Sequence, residues 1–465
     1  MTPALGDVST VAIVGGGVAG ALLAIHLLSA SRTVRVRLIE RGAAVGRGLA
    51  YGACAPHHLN NARTSRMDAR LPVSFATWLE AQGAAEDFAP RARFGDYIED
   101  CLQDAILRAG GRLRIIRGEA IDIVTAPSRC VALADGRRIA ADVVALATGH
   151  AAPAPLLIPG AADGLIANDP WRSEAFADLA PTAPVLIAGT GLSMVDAIMT
   201  LNARGHVGDI TAVSRRGLLP QTHAAATPDA GLNLIAAGRT PLRALRHVRR
   251  IVRHAESAGH PWQCVLDAAR SQAQAVWSRW SDAHKRQFMR HLAPFWNTHR
   301  HRAPQPLAQT LADMISDGRL RVLAGSIAQI NRFGARQEAL IRLRRSSHIA
   351  TIAVDRVLNC TGAARFPESG DGLLRRLVER GIADVDALGL RTVNCALGPR
   401  HGVPSTWLYA VGPLTVSEYG DVTAAPEIAA QTEALARTLA LRTPDVTLGA
   451  EPLGSRALEV LRRAL

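Results

Sequence analysis

Lysine is nearly absent from this chain. Lys285 is its only lysine, so arginine supplies almost all of the 53 basic residues that set a formal charge of +13 against 40 acidic ones. The arginines are spread along the whole length, and aromatic residues make up only 4%. Dispersed arginine without aromatic interleaving is poor material for a nucleic-acid groove. No nucleic-acid partner is expected, and the charge is read as overall composition together with attraction for anionic cofactors.

Cysteine is also sparse. Cys54, Cys101, Cys130, Cys264, Cys360 and Cys395 form no CxxC pair and no metal-ligand spacing, which argues against a dithiol reductase centre and favours a reducing compartment. No basic N-terminal segment precedes an apolar run, and no run approaches the length of a bilayer span. A soluble cytoplasmic protein without a membrane partner is the expectation. Pro241 to Ala258 reads as a basic amphipathic helix, with Leu242, Leu245, Val248 and Val252 on one side and Arg243, Arg246, Arg249, Arg250 and Arg253 elsewhere. Lacking a bulky aromatic anchor, it is read as an exposed helix packed on its own domain and not as a lipid-binding one.

Against these absences stand 40 glycines, several of them in two ordered loops. The first is VAIVGGGVAGALLAIHLL, a strand at Val11 to Val14, the turn Gly15-x-Gly17-x-x-Gly20 and a helix from Ala21. Glycine is required there because the chain turns tightly, a pyrophosphate approaches backbone N–H groups, and the helix start meets the sheet. A second strand, Val34 to Ile39, ends in Glu40, at the distance where a carboxylate accepts hydrogen bonds from a ribose hydroxyl. The second loop is APVLIAGTGLSMVDAIMTL, with Gly189, Gly191 and Ser193, but Met194 at the third glycine position. Its partner strand, Ile210 to Val213, runs into Ser214, Arg215 and Arg216 and carries no acid. Guanidinium groups there suit a 2′-phosphate, favouring NADPH over NADH; the alternative is a solvated arginine turn.

Two later strands end alike, Asp142 to Leu146 in Ala147-Thr148-Gly149 and Asp355 to Leu358 in Asn359-Cys360-Thr361-Gly362. Each is a place where a strand end turns sharply beneath a cofactor. The expected fold class is α/β, with two dinucleotide-binding (Rossmann-like) domains. Residues 1–150 form the first part of an FAD domain, 181–350 an inserted NADPH domain with a helical insertion at 241–316, and 351–465 the completing part. The proline-rich stretch after Gly149 is read as a linker. In such a plan a hydride passes from nicotinamide to flavin.

The segments GRGLAYG, HHLNNARTSRMD, GTGLSMVDAIMTLNARGHVG, SRRGLLPQTH, FMRHLAPFWNTHRHRAP, VLNCTG and VGPLTVSEYGDVTAAPEIAAQ together resemble the FAD/NAD(P)-binding protein family related to class B flavin monooxygenases and N-hydroxylating amino-acid monooxygenases, whose better understood relatives include aspartate N-oxygenases. The resemblance implies Gly15, Gly17, Gly20 and Glu40 on the adenosine half of FAD, and His58, Asn61 and Met67 near the loop that admits the flavin. It implies Gly189, Gly191, Ser193, Asp196, Arg215 and Arg216 around NADPH. Gly412, Thr415 and Asp421 fall where the closing segment covers the isoalloxazine, and the helix from Pro426 would direct its positive end at the flavin. The chain departs from the family pattern at Asn60-Asn61-Ala62-Arg63, where members carry Leu-Asn-Val-Pro, and at Asp68. Arg63 is open between clamping a substrate carboxylate, meeting the FAD pyrophosphate and facing solvent. His301 and Arg302, in the run His299 to Arg302, are open between a domain-interface or phosphate contact and a substrate contact; without acidic or cysteine partners they are not a metal site.

The function implied is an NADPH-using, FAD-dependent monooxygenase. It would oxygenate the nitrogen of an amino acid or small amine, anionic amino acids included, with dioxygen through a flavin hydroperoxide. The alternatives are a flavin reductase or dehydrogenase that inserts no oxygen, and a redox-sensing FAD protein. No catalytic side chain is assigned, and oligomeric state and substrate stay open.

Overall fold

The computed structural model describes residues 8–443 except 152, 225–231, 335, 365–370, 387 and 400–401. The chain divides into two compact units, the first built from residues 1–54, 62–151 and 365–465, the second from 55–61 and 152–364.

The first unit opens with β1 (Thr10–Val14), β2 (Arg35–Glu40), β3 (Leu113–Arg117), β4 (Ala120–Val124), β5 (Cys130–Leu133), β6 (Arg138–Ala140) and β7 (Val143–Leu146). β1 lies between β2 and β7, parallel to both, and β3 pairs with the outer edge of β2. The short strands Thr392–Val393, Ala396–Leu397 and Leu408–Ala410 extend the sheet beyond β7, the last of them parallel to it. All four residues of β7 and four of the five in β1 are buried, the continuous apolar pattern of strands covered on both faces. One cover is the Val18–Ala30 helix, buried from Val18 to Leu27 and packed on the Ala425–Ala440 helix. The other includes the antiparallel β4–β5–β6 meander, whose Ile123, Val131 and Leu133 join Val14, Ile39 and Leu146 in one core.

The second unit repeats the plan with β8 (Ile166–Ala167), β9 (Val185–Ala188), β10 (Ile210–Ser214), β11 (Leu320–Phe333), β12 (Arg336–Leu343), β13 (Ile349–Ala353) and β14 (Arg356–Asn359). Here β9 is central, parallel to β10 on one side and β14 on the other, and β11 continues into an antiparallel β11–β12–β13 ribbon. Between β10 and β11 the chain runs through Pro241–Ser257, Trp262–Trp277, Asp282–His291, Ala293–Arg300 and Gln305–Ser316 as helices, in line with the helical insertion expected at 241–316. On the Pro241–Ser257 helix Pro241, Ala244 and Ala255 are buried, and the five arginines are exposed.

Three expectations are corrected by pairing. Residues 351–364 go with the second unit, because β14 is the parallel neighbour of β9. The stretch after Gly149 is no linker, since β8 pairs with β14 and the Asn359 amide donates to Ala154 O at 2.9 Å. Residues 55–61 also leave the first unit for the second. Within the turn-rich GRGLAYG, Gly48–Gly52 is a short helix.

Candidate cofactor sites

Each sheet has its central strand flanked on opposite sides, so a crevice opens at the strand C-termini, where such sheets bind ligands. In the first unit Gly15 has φ +105°, and a Cβ there would lie 2.3 Å from Ala147 O. A Cβ on Gly20 would lie 1.9 Å from Gly15 O. The loop is therefore closed to any side chain at both positions, and the helix start sits hard against the strand end. Gly17 caps that helix without a side-chain acceptor, which leaves the first-turn N–H groups directed at the crevice. The glycine cradle and uncapped helix start fit a pyrophosphate.

Glu40 lies beside this loop. Its Oε2 accepts from Gly16 N–H and its Oε1 from Gly42 N–H, both at 2.6 Å. Two backbone donors hold the carboxylate in place, and each oxygen keeps acceptor capacity for a ribose hydroxyl. Thr148 and Gly149 follow Ala147, with Gly149 at φ +73°. Across the sheet, Gly412 has φ +71° and donates to Gln431 Oε1 at 2.6 Å, while Gln431 Nε2 donates to Thr415 Oγ1 at 2.8 Å. The fully buried Thr415 hydroxyl donates in turn to Gly412 O. Thr415 thus braces the Gly412 turn and does not reach outward. Gln431, which the sequence reading did not single out, is the residue that ties this turn to the closing helix. Asp421 lies in the loop that precedes that helix, whose first turn carries Glu427. Met67 is buried in the core of the first unit.

The second unit repeats the crossing. Gly189 has φ +115°, and a Cβ there would lie 2.1 Å from Cys360 O, the counterpart of Gly15 against Ala147. Thr361 and Gly362 follow, with Gly362 at φ +93° and the Thr361 hydroxyl donating to Asn359 Oδ1 at 2.7 Å. Gly191 caps the Leu192–Ala203 helix without a side-chain acceptor, as Gly17 does. Met194 at the third glycine position is fully buried in the core. The helix start differs accordingly, with a tight Met194 N–H to Gly191 O bond at 3.0 Å. Asp196 is buried on the same helix and Ser193 lies half-buried one turn earlier.

At the end of β10, Ser214 Oγ is hydrogen-bonded to the Thr190 hydroxyl at 2.8 Å and accepts Gly217 N–H at 3.0 Å. These bonds tie the Ser214-Arg215-Arg216-Gly217 turn to the glycine loop. Arg215 is exposed; the Arg216 guanidinium lies 5.1 Å from the Phe295 ring centroid. Neither arginine forms an ion pair among the described residues, so both remain available to an anion.

Other expected site residues are committed within their own unit. His58 is buried; its Nδ1 accepts Ala55 N–H at 3.1 Å, so Nε2 carries the hydrogen and donates to Thr200 Oγ1 at 2.9 Å and toward Asp196 O at 3.2 Å. Asn61 accepts at its carbonyl from His223 Nε2 at 2.9 Å. His58 and Asn61 are thereby placed on the second unit. Arg63 pairs with Asp87 and lies over Phe88. Arg302 is buried, donates to Asp267 Oδ1 and His299 O at 2.8 Å each, and lies over Trp262; His301 ends the preceding helix. Arg302 is thus a brace of the helical insertion. Its partners lie too far away in sequence, or are too ordinary in type, to have been foreseen.

Among the described residues no group of three metal-ligating side chains occurs, and no helix is long and apolar enough to cross a membrane. No disulfide joins the six cysteines. Burial pushes the Cys101 and Cys395 thiols up to about 12 and raises Cys360 further, with Asp196 adding to the effect there.

Residues 12–151 match the model of an FAD-NAD(P)-binding family. No curated protein matches the chain. Among solved structures, an ornithine N-hydroxylase from Kutzneria sp. 744 is similar at 16% identity and TM-score 0.62, covering 94% of this chain and 99% of its own. An L-lysine 6-monooxygenase from Pseudomonas syringae gives 17% and 0.60 with the same coverage. A bacillithiol disulfide reductase from Bacillus cereus gives 13% and 0.54, covering 93% and 99%. The chain has the two-domain dinucleotide-binding fold of these flavoproteins, and its first Rossmann module is of the FAD-NAD(P)-binding kind.

Proposed function

We propose that the chain is an FAD-dependent, NADPH-using monooxygenase that oxygenates the nitrogen of an amino acid or small amine. The fold is shared by N-hydroxylating monooxygenases and by a disulfide reductase, so the decision rests on what accepts electrons from the flavin. The cysteines carry that decision. No two form a CxxC pair, and Cys360, beside the second glycine loop, is buried with its thiol held far above the range in which a thiolate forms. A buried neutral thiol neither attacks a disulfide nor relays electrons. Dioxygen needs no protein-borne relay, and the lack of one supports it over a disulfide as the acceptor.

The flavin, when bound, supplies the hydride acceptor and the oxygen-activating centre. The chain's own residues bind and orient. Gly15, Gly17 and Gly20 give the pyrophosphate its backbone donors, and Glu40 takes the adenosine ribose. The Gly412 turn, braced by Thr415 and Gln431, shapes the far wall. On the second unit Gly189 and Gly191 seat the NADPH pyrophosphate, while Arg215 and Arg216 neutralise its 2′-phosphate. The amine substrate must arrive neutral to be nucleophilic. The test is a panel of amino acids and amines in which substrate-dependent NADPH oxidation is followed and product mass measured. A product heavier by one oxygen atom supports the reading; NADPH oxidation that no amine stimulates contradicts it.

A further inference from the structure

On the first unit, on the sheet face that the meander covers, four arginines converge on one recess of about 480 Å³ lined by Thr10, Arg35, Arg37, Arg114, Arg138 and the isoleucines 115, 116 and 139, with Ala140 at its edge. Their placement follows from the sheet. Arg35 and Arg37 are two apart on β2 and so share a face. Thr10 is the register partner of Arg35 on β1, and Arg114 the partner of Arg37 on β3. Adjacent strands lie roughly 4.8 Å apart, so Arg37 and Arg114 stand side by side. Arg138 comes from β6 on the meander that covers the rest of this face. The recess starts level with Thr10, where β1 begins, and runs along the β2–β3 edge to Ile116, whereas the glycine loop follows Val14 on the central strand β1.

The arrangement is costly without a ligand. Partial burial disfavours the charged form of Arg37, and the like charges of Arg114 and Arg35 on neighbouring strand positions add to the effect. Among the described residues none of the four guanidiniums is in an ion pair. The Arg37 guanidinium donates only to the carbonyls of Val36 and Arg112, at 3.1 and 3.4 Å. The nearby Asp142 carboxylate holds the Ser9 and Thr10 N–H groups through its Oδ2 at 2.9 and 2.8 Å, and among the described residues it pairs with none of the four guanidiniums. Four cations gathered in one recess, Arg37 half-buried and the other three exposed, suit an anion of several charges. Guanidinium forks match phosphate oxygens in pairs.

We infer that this recess is a binding site for a small molecule bearing a chain of phosphates, separate from both dinucleotide loops. Tripolyphosphate and a nucleoside triphosphate share that chemistry. The isoleucine wall would favour the nucleotide, whose base offers an apolar face.

The experiment is isothermal titration of the full chain, saturated with FAD and NADP+ so that the glycine loops are filled, with sodium tripolyphosphate and with ATP at constant ionic strength. Saturable binding is expected, and it should weaken by roughly tenfold or more in R37Q/R114Q. R35Q/R138Q changes only exposed side chains and should weaken it likewise. FAD content and NADP+ affinity, kept in both variants, show that the fold is intact. Tighter binding of ATP than of tripolyphosphate identifies the nucleotide as the occupant; equal binding identifies the free polyphosphate. The inference is overturned if neither ligand binds at millimolar concentration, if R35Q/R138Q binds as the unaltered chain does, or if citrate binds as tightly as tripolyphosphate.

Discussion

The Thr190 hydroxyl and Ser214 Oγ share a hydrogen bond across 2.8 Å, joining the middle of the second glycine loop to the first residue of the turn that bears Arg215 and Arg216. The same hydroxyl is 2.6 Å from Leu218 O, and Ser214 Oγ also receives Gly217 N–H. One threonine thus sets the spacing between the donors proposed for a pyrophosphate and the cations proposed for a 2′-phosphate. Thr190→Val keeps the shape and removes both of the hydroxyl's bonds. A net hydrogen bond contributes about 0.5–1.5 kcal/mol, so NADPH affinity, measured by titration, should fall between roughly twofold and tenfold while FAD content is unchanged.

Arg215→Ala with Arg216→Ala removes both cations from that turn. Hydrogen bonds to charged groups are worth about 1.5–3 kcal/mol, so the NADPH requirement in flavin reduction should rise roughly ten- to hundredfold. NADH, which has no 2′-phosphate, should be used nearly as before. Equal loss with both nicotinamides would remove these residues from the 2′-phosphate site.

Glu40→Ala should release FAD. The change takes away the ribose acceptor and leaves the buried Gly16 N–H, which the carboxylate now receives, without its partner. Hydrogen bonds to a charged group are worth about 1.5–3 kcal/mol, which corresponds to FAD binding weaker by roughly tenfold or more. Flavin absorbance after desalting reads this directly, and full retention would contradict the assignment.

His26 joins the helix that follows the first glycine loop to the closing helix. Its Nδ1 lies 3.1 Å from Thr432 Oγ1 and its Nε2 3.4 Å from Arg70 O. Desolvation lowers its pKa below 6.5, outweighing the hydrogen bond to the Arg70 carbonyl and the Glu433 charge, which both act upward. A ring kept neutral in the fold and protonated in the unfolded chain contributes stability that is complete above pH 6.5. That stability is lost as pH falls toward the lower folded value. Thermal unfolding followed from pH 7.5 to 5 should show a larger drop for the unaltered chain than for His26→Gln; parallel curves would mean that His26 titrates alike in both states.

The two glycine loops were legible in the sequence because the backbone there tolerates no Cβ. At Gly15 and Gly189 the carbonyls of Ala147 and Cys360 fill the space, and the Thr-Gly pairs after those carbonyls mark the facing strands. Helices with strong periodicity, such as Pro241–Ser257, were equally plain. What was hidden depends on partners far apart in sequence. β8 has only two residues and no pattern of its own; only its pairing with β14 reveals that the second unit starts before the expected 181. His58 looked like a residue of the flavin loop, yet its ring is tied to Thr200, 142 positions away. Arg302 pairs with Asp267 and Arg63 with Asp87, so charges that could have been read as substrate contacts are occupied. The arginine recess was invisible for the same reason, since Arg35, Arg37, Arg114 and Arg138 meet only through strand register and the return of the meander.

The most direct test of the proposed function is to reduce the FAD-loaded chain anaerobically with NADPH, mix it with oxygenated buffer, and follow the flavin spectrum. The account predicts a transient species, spectrally distinct from oxidised and reduced flavin, whose decay in the presence of a productive amine yields the oxygenated product. Return of oxidised flavin with no such species, or failure of NADPH to reduce the flavin at all, would contradict it.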